Sequence, residues 1–439
     1  MEMPRVAVLG ASGLIGDVVV ADMRRRGVPV LAIARRFGAG KREGAPADRI
    51  ETPFARLRAE ALAQMLAGRA VEIVVNAVGV LQSGPSGSAE TAHVEFPQRL
   101  VAALRAMDLP ALLIHLSIPG ADTGETEFSR TKRRAELAIE GSGLPYVLLW
   151  PGFVIGPTAY GGSALIRALA VLPLRLPREE RARPLQVTAM SDVMGTVAWA
   201  AGAWAAGRRE FAADFDVMSP EPTSVGEVVE ALRRRLGGPR PVADFPRAFL
   251  GLGARLADAL AVLGSAAPIR SPALAEMQRG VTSDSLGWRA QTGMAGKTLS
   301  QAMEAVAPGV QERGFARLYL LKAGVIATLS AFYGVSGLIA LSAGFRAAEA
   351  ELTARGFSAT GATMFVIVTA ALDRAVGAAI AVRRTCRIGL WTGLGLALAY
   401  LIGGTALAPA LWGDPLGPFV KVFPTLMLLA VALAIHDDR

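Results

Sequence analysis

Arg5-Val6-Ala7-Val8-Leu9-Gly10-Ala11-Ser12-Gly13-Leu14-Ile15-Gly16 is the stretch whose reading decides the fold of the N-terminal part of this chain. A short apolar run of β type ends in glycines at 10, 13 and 16. A helical pattern then continues to Arg26, Gly27 breaks it, and a second apolar run covers Val28 to Ala34. Strand, glycine loop, helix and strand in that order make the first half of a βαβ crossover. Glycines placed there remove Cβ atoms where a pyrophosphate approaches the backbone, and the helix N-terminus adds donors and a partial positive charge. Gly10, Ser12, Gly13, Leu14, Ile15 and Gly16 are therefore expected to bind a dinucleotide. Ser12 stands where the usual fingerprint has its second glycine.

Working outward, strands are expected at Val71 to Val75, Leu112 to Ser117 and Tyr146 to Trp150, with helical stretches near 55–68, 88–107 and 127–141. This alternation predicts a Rossmann-type α/β domain with a doubly wound parallel sheet covered on both faces. Residues 151–305 add a smaller substrate-side α/β region. It contains a strand pair, Leu185 to Thr188 with Phe215 to Met218, and a helix from Ser224 to Leu236 with Ser224 as N-cap. The apolar stretch Phe249 to Leu263 is open between a core helix, a lid over a greasy pocket and a helix on the bilayer surface. At the end of the second strand an NAD enzyme places an acidic residue, whereas this chain has Arg35 and Arg36. Guanidinium groups bind phosphate oxygens, so NADP(H) is expected ahead of NAD(H).

The chain has 439 residues, 52% of them hydrophobic, and the apolar excess lies after residue 318. Four segments have about the twenty residues needed to cross a bilayer: Leu318 to Leu341, Thr360 to Val382, Gly389 to Leu407 and Leu416 to Ile435. The expected organisation is a nucleotide-binding domain over 1–305, a linker over 306–317 and a four-helix transmembrane bundle over 318–439. In the last span Lys421 snorkels to the interface and Pro424 is tolerated. Arg313, Arg317 and Lys322 precede the first span, and Arg383, Arg384 and Arg387 fill the turn after the second. By the positive-inside rule, both the N-terminal domain and the C-terminus face the cytoplasm of a multi-pass inner-membrane protein. The N-terminus shows no basic stretch before Val6 to Leu9 and reads as free of a secretory signal.

The net charge of +9 does not form a stripe interleaved with aromatics. Arg24 to Arg26 and Arg233 to Arg235 close amphipathic helices, where cations suit the dipole, so nucleic acid is not an expected partner. One cysteine, Cys386, and three histidines, His93, His115 and His436, make a metal site unexpected.

The N-terminal part resembles the short-chain dehydrogenase/reductase superfamily, in its atypical extended branch with the NmrA-like proteins and the 39 kDa type of complex I accessory subunit. The resemblance covers residues 4–305. It rests on Gly10 to Gly16, on Asn76-Ala77-Val78-Gly79, on Ser117, and on Pro151-Gly152-Phe153-Val154-Ile155-Gly156. It implies that Ala77, Val78, Gly79, Pro151, Gly152 and Val154 line the cofactor. Active members carry a Tyr and a Lys four residues apart on one helix, with a Ser that positions the carbonyl. The matching stretch here is Phe128-Ser129-Arg130-Thr131-Lys132: Ser117 and Lys132 are retained as the implied catalytic residues, and Phe128 replaces the proton donor. Lys132 is also implied to hold the nicotinamide ribose.

The tail is similar to the DoxX-like group of small four-helix membrane domains, through its spans and Leu411-Trp412-Gly413-Asp414-Pro415-Leu416-Gly417-Pro418. Asp373-Arg374 falls within the second span and is open between a polar site for a quinone head group or proton and a self-neutralising pair. Two principal functions follow. One is a membrane-anchored NADPH-using oxidoreductase acting on a lipophilic or quinone-like substrate. The other is a non-catalytic NADPH-binding redox sensor or assembly factor of a membrane protein complex. In a third reading the helix bundle carries the redox or transport work.

Overall fold

The computed structural model describes residues 3–38, 48–80, 88–120, 126–246 and 280–436. Apolar runs without polar alternation become strands buried on both faces. They are β1 (Arg5–Leu9), β2 (Val30–Ala34), β4 (Val71–Asn76), β5 (Leu112–Leu116) and β6 (Tyr146–Pro151), joined at one edge by the short, partly exposed β3 (Arg49–Glu51). With strand Ala212–Val217 they form one sheet, in the spatial order Ala212–Val217, β6, β5, β4, β1, β2, β3. Every neighbouring pair runs parallel. The order reverses between β1 and β4, and ligands of open α/β sheets settle at such a switch point.

Strand alternation sorts the side chains into two layers. Val6, Val8, Leu112, Ile114 and Phe215 pack with Val19 and Met23 of α1 (Leu14–Arg25) and with Val193 and Val197 of helix Met190–Ala205. Ala7, Leu9, Leu113 and Leu148 pack on the other side with Leu62 and Leu66 of α2 (Ala59–Ala67), Leu100 of α3 (Phe96–Arg105) and Ile139 of α4 (Glu127–Glu140).

The strands differ from expectation at two places. Strand β3 was not foreseen in the sequence. The run Phe215 to Met218 does not pair with Leu185 to Thr188. It belongs to Ala212–Val217, the edge strand beside β6, because Ala213, Phe215 and Val217 face the main core while Ala212 and Asp214 face out. Its expected partner instead forms strand Val187–Ala189, which pairs with β7 (Phe153–Ile155) in a separate small sheet. That sheet packs on helix Val225–Leu236, whose N-cap Ser224 makes a full capping box with Glu227. The apolar stretch Phe249 to Leu263 lies outside the described residues.

The second compact unit begins at Leu318. Segment 306–317, read as a linker, is helical from Val310, because helix Val310–Leu341 is continuous. Among the described residues three helices are long and apolar enough to cross a membrane: Val310–Leu341, Ala359–Ala381 and Cys386–Leu407. A short helix, Phe345–Ala354, lies in the loop between the first two.

The fourth expected span, Leu416 to Ile435, is helical only over the 15 residues Val422–His436. That is about 22 Å against a hydrocarbon core of about 30 Å. Gly417 takes a positive φ of 56°, and Pro415 and Pro418 lack the N–H a helix needs. Lys421 therefore precedes the helix instead of lying inside it, and Pro424 falls in the first turn, where its missing donor costs nothing.

Within this unit Leu329, Tyr333, Val376, Ile380, Leu390 and Leu429 form the interior. A Cβ on Gly377 would come within 2.7 Å of Gly334 N, so these two helices touch backbone to backbone.

Phe215 is fully buried and edge-on to Trp199 at 5.6 Å. Phe215→Ala should destabilise the α/β domain by about 3–5 kcal/mol. The measurement is the loss of its cooperative thermal transition at lower temperature in the full-length chain.

Candidate functional site

Parallel strands place all their C-terminal ends on one edge, so the loops after β1, β2, β4, β5 and β6 gather there. After β1 the chain turns through Gly10, at φ 81°, with Gly10 N and Ala11 N both donating to Ile33 O. A Cβ at Gly10 would sit 3.0 Å from Ala77 O, and one at Gly16 would sit 2.3 Å from Gly10 O. A side chain at residue 16 would thus displace the loop. Gly13 is the N-cap of α1, and no side chain caps the helix. Ile15 leans on the core, which leaves the open first turn of α1 at the switch point. A bare backbone cradle with an uncapped helix start fits a pyrophosphate group.

Arg35 and Arg36 follow β2 directly, and both are exposed. Phe37 turns inward, its N–H donating to Glu51 Oε1 at 2.9 Å and its ring lying under the Arg49 guanidinium at 4.3 Å. After β4, Asn76 is buried and its Oδ1 accepts from Val78 N, which curls Ala77-Val78-Gly79 back toward the glycine loop.

Lys132 is buried, with its Nζ donating to Leu116 O at 2.8 Å. It is not an exposed helix lysine. A Cβ on Gly79 would lie 3.9 Å from Lys132 Nζ and 3.8 Å from His93 Nε2, so the loop after β4, α4 and His93 converge on one place. His93 sits on a π-helical turn, Thr91–Glu95, that leads into α3. Its Nε2 accepts from Val80 N at 3.0 Å and its Nδ1 meets Thr131 Oγ1 at 3.0 Å. The Thr131 hydroxyl has carbonyl acceptors at Glu127 and Phe128, so this network assigns the His93 proton to Nδ1. Phe128 is half-buried and meets the His93 ring edge-on, with centroids 5.3 Å apart.

Ser117 follows β5 on the face that also carries His115. Its hydroxyl is buried against Glu136, outside hydrogen-bond geometry, and is not presented at the open edge. Glu136 lies one helical turn beyond Lys132 and accepts from Trp150 Nε1 at 3.0 Å and from Arg133 at 3.1 Å. His115 Nδ1 contacts Asn76 Nδ2 at 2.9 Å.

Pro151 ends β6. Gly152 has its Cβ direction filled by Gln186 O at 2.3 Å and its N–H bound to Thr188 Oγ1, while Val154 pairs with Thr188. The glycine at 152 is thus required by the neighbouring strand. His93, Glu136 and Trp150 were not singled out as site residues from the sequence. The available signal was spacing: Glu136 is four residues from Lys132 on one helix face.

Burial sets the electrostatics. Desolvation and the nearby Lys132 charge lower His93 to about 2, and the same causes, with His93 added, hold His115 well below its ordinary value. Desolvation lowers Lys132 to about 8 against an opposing pull from Glu136, and burial raises Glu136. Both histidines are neutral at physiological pH, and Lys132 is the buried cation. Among the described residues no group of three or more metal-ligating side chains occurs.

Residues 6–159 match the NAD dependent epimerase/dehydratase family and residues 330–430 match a DoxX-like family. A curated relative, the dTDP-6-deoxy-L-talose 4-dehydrogenase (NAD(P)(+)) of Kitasatospora kifunensis, is 27% identical over 265 residues, covering 55% of this chain and 82% of the relative. Among solved structures, the UDP-glucuronic acid 4-epimerase of Bacillus cereus with UDP-glucuronic acid and NAD superposes with a TM-score of 0.51 at 15% identity, covering 72% of this chain and 99% of that one. Bordetella bronchiseptica WbmG with NAD gives 0.53 at 14% identity, covering 72% and 97%. The chain is thus similar to the epimerase/dehydratase family over residues 6–159 and to a DoxX-like family over residues 330–430.

The Lys132 ammonium is lowered from 10.5 to about 8 on folding, so between those values the unfolded chain binds more protons. Stability contributed by this group therefore rises with pH across that window. The thermal midpoint of the full-length chain should climb relative to Lys132→Met between pH 8 and pH 10.5. A relative fall would refute the burial argument.

Proposed function

We propose that this chain is a membrane-anchored oxidoreductase of the epimerase/dehydratase type that binds NADP(H) ahead of NAD(H) and acts on a lipophilic or quinone-like substrate. The observation that carries the cofactor reading is the glycine cradle, where a Cβ at Gly16 would meet Gly10 O at 2.3 Å. Gly10, Ser12, Gly13, Leu14, Ile15 and Gly16 offer backbone donors to the pyrophosphate, and Arg35 and Arg36 take the 2′-phosphate. Ala77, Val78 and Gly79 flank the adenosine side, while Pro151, Gly152 and Val154 flank the nicotinamide side. Lys132 bonds the ribose hydroxyls in place of, or beside, Leu116 O. Bound there, a nicotinamide supplies or accepts a hydride. In this reading Ser117, buried beside Glu136, turns its hydroxyl toward the open edge to position a carbonyl.

The orientation with both termini in the cytoplasm is supported by one contact within the bundle. Lys322 near the start of the first span donates to His436 O at the end of the last helix, at 2.9 Å. Lys322 also acts electrostatically on Cys386, which opens the third span, so the basic turn Arg383 to Arg387 lies at the same end. With the short helix Val422–His436 completing the bundle and all these cations at one end, the positive-inside rule puts that end in the cytoplasm.

Phe128 favours a second reading, a non-catalytic NADPH-binding redox sensor or assembly factor of a membrane complex. A phenyl ring donates no proton, and the neighbouring His93 has both ring nitrogens engaged. Two of the relatives named above, the dTDP-6-deoxy-L-talose dehydrogenase and the UDP-glucuronic acid epimerase, carry nucleotide-linked sugars in their names, which makes that class the competing substrate.

Two experiments test the proposal. Calorimetric titration of the full-length chain in detergent should show NADPH binding more tightly than NADH by roughly tenfold, the worth of one charge-assisted hydrogen bond of about 1.5 kcal/mol. Gly16→Ala should abolish uptake of both, and Arg35→Ala should remove the preference. Uptake of neither nucleotide by the unmodified chain would end the reading.

Phe128→Tyr restores the missing acid. If the rest of the site is built for hydride transfer, turnover of a carbonyl or quinone panel with NADPH should rise by about 100-fold to 10,000-fold. A rise only with nucleotide-linked sugars would reassign the substrate. No rise with nucleotide still bound would favour the sensor reading.

A further inference from the structure

The sequence pattern left Asp373-Arg374 open between a self-neutralising pair and a polar site. Adjacent helical residues project about 100° apart, and the structure separates these two. Asp373 points into the bundle and is 6% exposed, whereas Arg374 is exposed and forms no ion pair among the described residues. The carboxyl of Asp373 is met by uncharged groups. Tyr400 of helix Cys386–Leu407 places its hydroxyl 3.1 Å from Asp373 Oδ1, and Ser336 of helix Val310–Leu341 is a second polar neighbour. Tyr333, one turn before Gly337, is buried and donates to Gly393 O at 2.7 Å. Gly337 lets helix Val310–Leu341 approach so closely that a Cβ there would lie 3.1 Å from Asp373 Cβ. Helix Val422–His436 contributes Leu429 and Ala432 to this interior. No Lys, Arg or His from the other bundle helices is described as facing the carboxyl.

Three helices thus converge on one acid whose surroundings hold donors but no cation. A lone charge in such a place is costly, and intramembrane acids persist where they exchange a proton or a ligand. The Tyr400 hydroxyl has a single proton and two acceptors in reach, Asp373 Oδ1 at 3.1 Å and Thr369 O at 3.3 Å. With Asp373 ionised, that proton serves the carboxylate. With Asp373 protonated, the Tyr400 proton is released to Thr369 O, and the acid becomes a donor. Both states satisfy the hydrogen bonds without moving a helix. Along helix Ala359–Ala381 the acid lies eight residues before the C-terminal end, about 12 Å from the basic turn.

We propose that Asp373, with Tyr400 as its switching partner, is a reversible proton-binding site inside the helical bundle. The step is a simple protonation: a proton from water joins a carboxylate oxygen, and the Tyr400 O–H turns from that carboxylate to Thr369 O. Nothing in it depends on the nucleotide domain, and its test uses no nucleotide.

Infrared difference spectra of the full-length chain in detergent, taken between acid and alkaline pH, should show the carbonyl stretch of a protonated carboxyl group in an apolar setting. Asp373→Asn should abolish that band, and Tyr400→Phe should shift both the band and its titration midpoint. A carboxyl band unchanged in Asp373→Asn, or the absence of any titrating band, overturns the proposal. Should either variant fail to assemble, the unmodified chain suffices. Dicyclohexylcarbodiimide, which reacts with protonated carboxyls in apolar surroundings, should label Asp373 by peptide mass mapping, and the labelling should slow as pH rises. No adduct at Asp373, or one independent of pH, also overturns it.

Discussion

The carbonyl oxygen of Gly10 leaves no space for a side chain at residue 16, and the geometry of the nucleotide domain follows from that contact. Because the backbone of α1 can lie against the end of β1, the helix starts immediately over the sheet edge and aims its uncapped first turn at the switch point between β1 and β4. The same closeness ties two loops together, since Gly10 also has no room for a Cβ beside Ala77 O. Any residue larger than glycine would push the loop, the helix and the neighbouring strand end apart at once. Packing behind this contact is ordinary: two apolar layers of a doubly covered parallel sheet hold it rigid.

Beneath the open edge lies a second constraint, a buried polar layer between β5 and α4. His93, His115, Ser117, Lys132 and Glu136 are all nearly inaccessible to solvent. Such groups are tolerated when their hydrogen bonds are made, and most here are, to backbone carbonyls, to Thr131 and to Trp150. Desolvation keeps both imidazoles neutral and softens the lysine, so the layer holds one cation and offers no ready acid where Phe128 stands. Binding and proton donation are therefore separable in this fold. In the proposed reading the first rests on backbone geometry and one lysine; the second would need a hydroxyl that the chain does not place at residue 128.

The helical bundle obeys a different rule. Where lipid replaces water, apolar burial gives little reason for helices to associate, and close backbone contact takes over. Gly337, Gly377 and Gly389 supply that contact, and Gly337 also brings its helix against Asp373. Polar side chains in the interior are thus a consequence of how closely the small residues let the helices pack.

Local order along the chain was enough to establish the α/β alternation, the glycine loop, the Ser224 cap, the arginines after β2 and the long apolar helices. Each of these depends on neighbours within a few residues, through strand alternation, helical period, capping and the reach of a turn. Pairing and facing were beyond it. The edge position of Ala212–Val217, the role of Gly152 in admitting the Gln186 strand, the burial of Ser117 and Lys132, and the separation of Asp373 from Arg374 all depend on which distant element arrives alongside. His93 shows the limit well: in sequence it is a lone histidine, and it acquires meaning only because Val80, Thr131 and Phe128, from separate segments, close around its ring. Short-range sterics and hydrophobic period are written in the order of residues, whereas desolvation and hydrogen-bond partnership are properties of the packed interior.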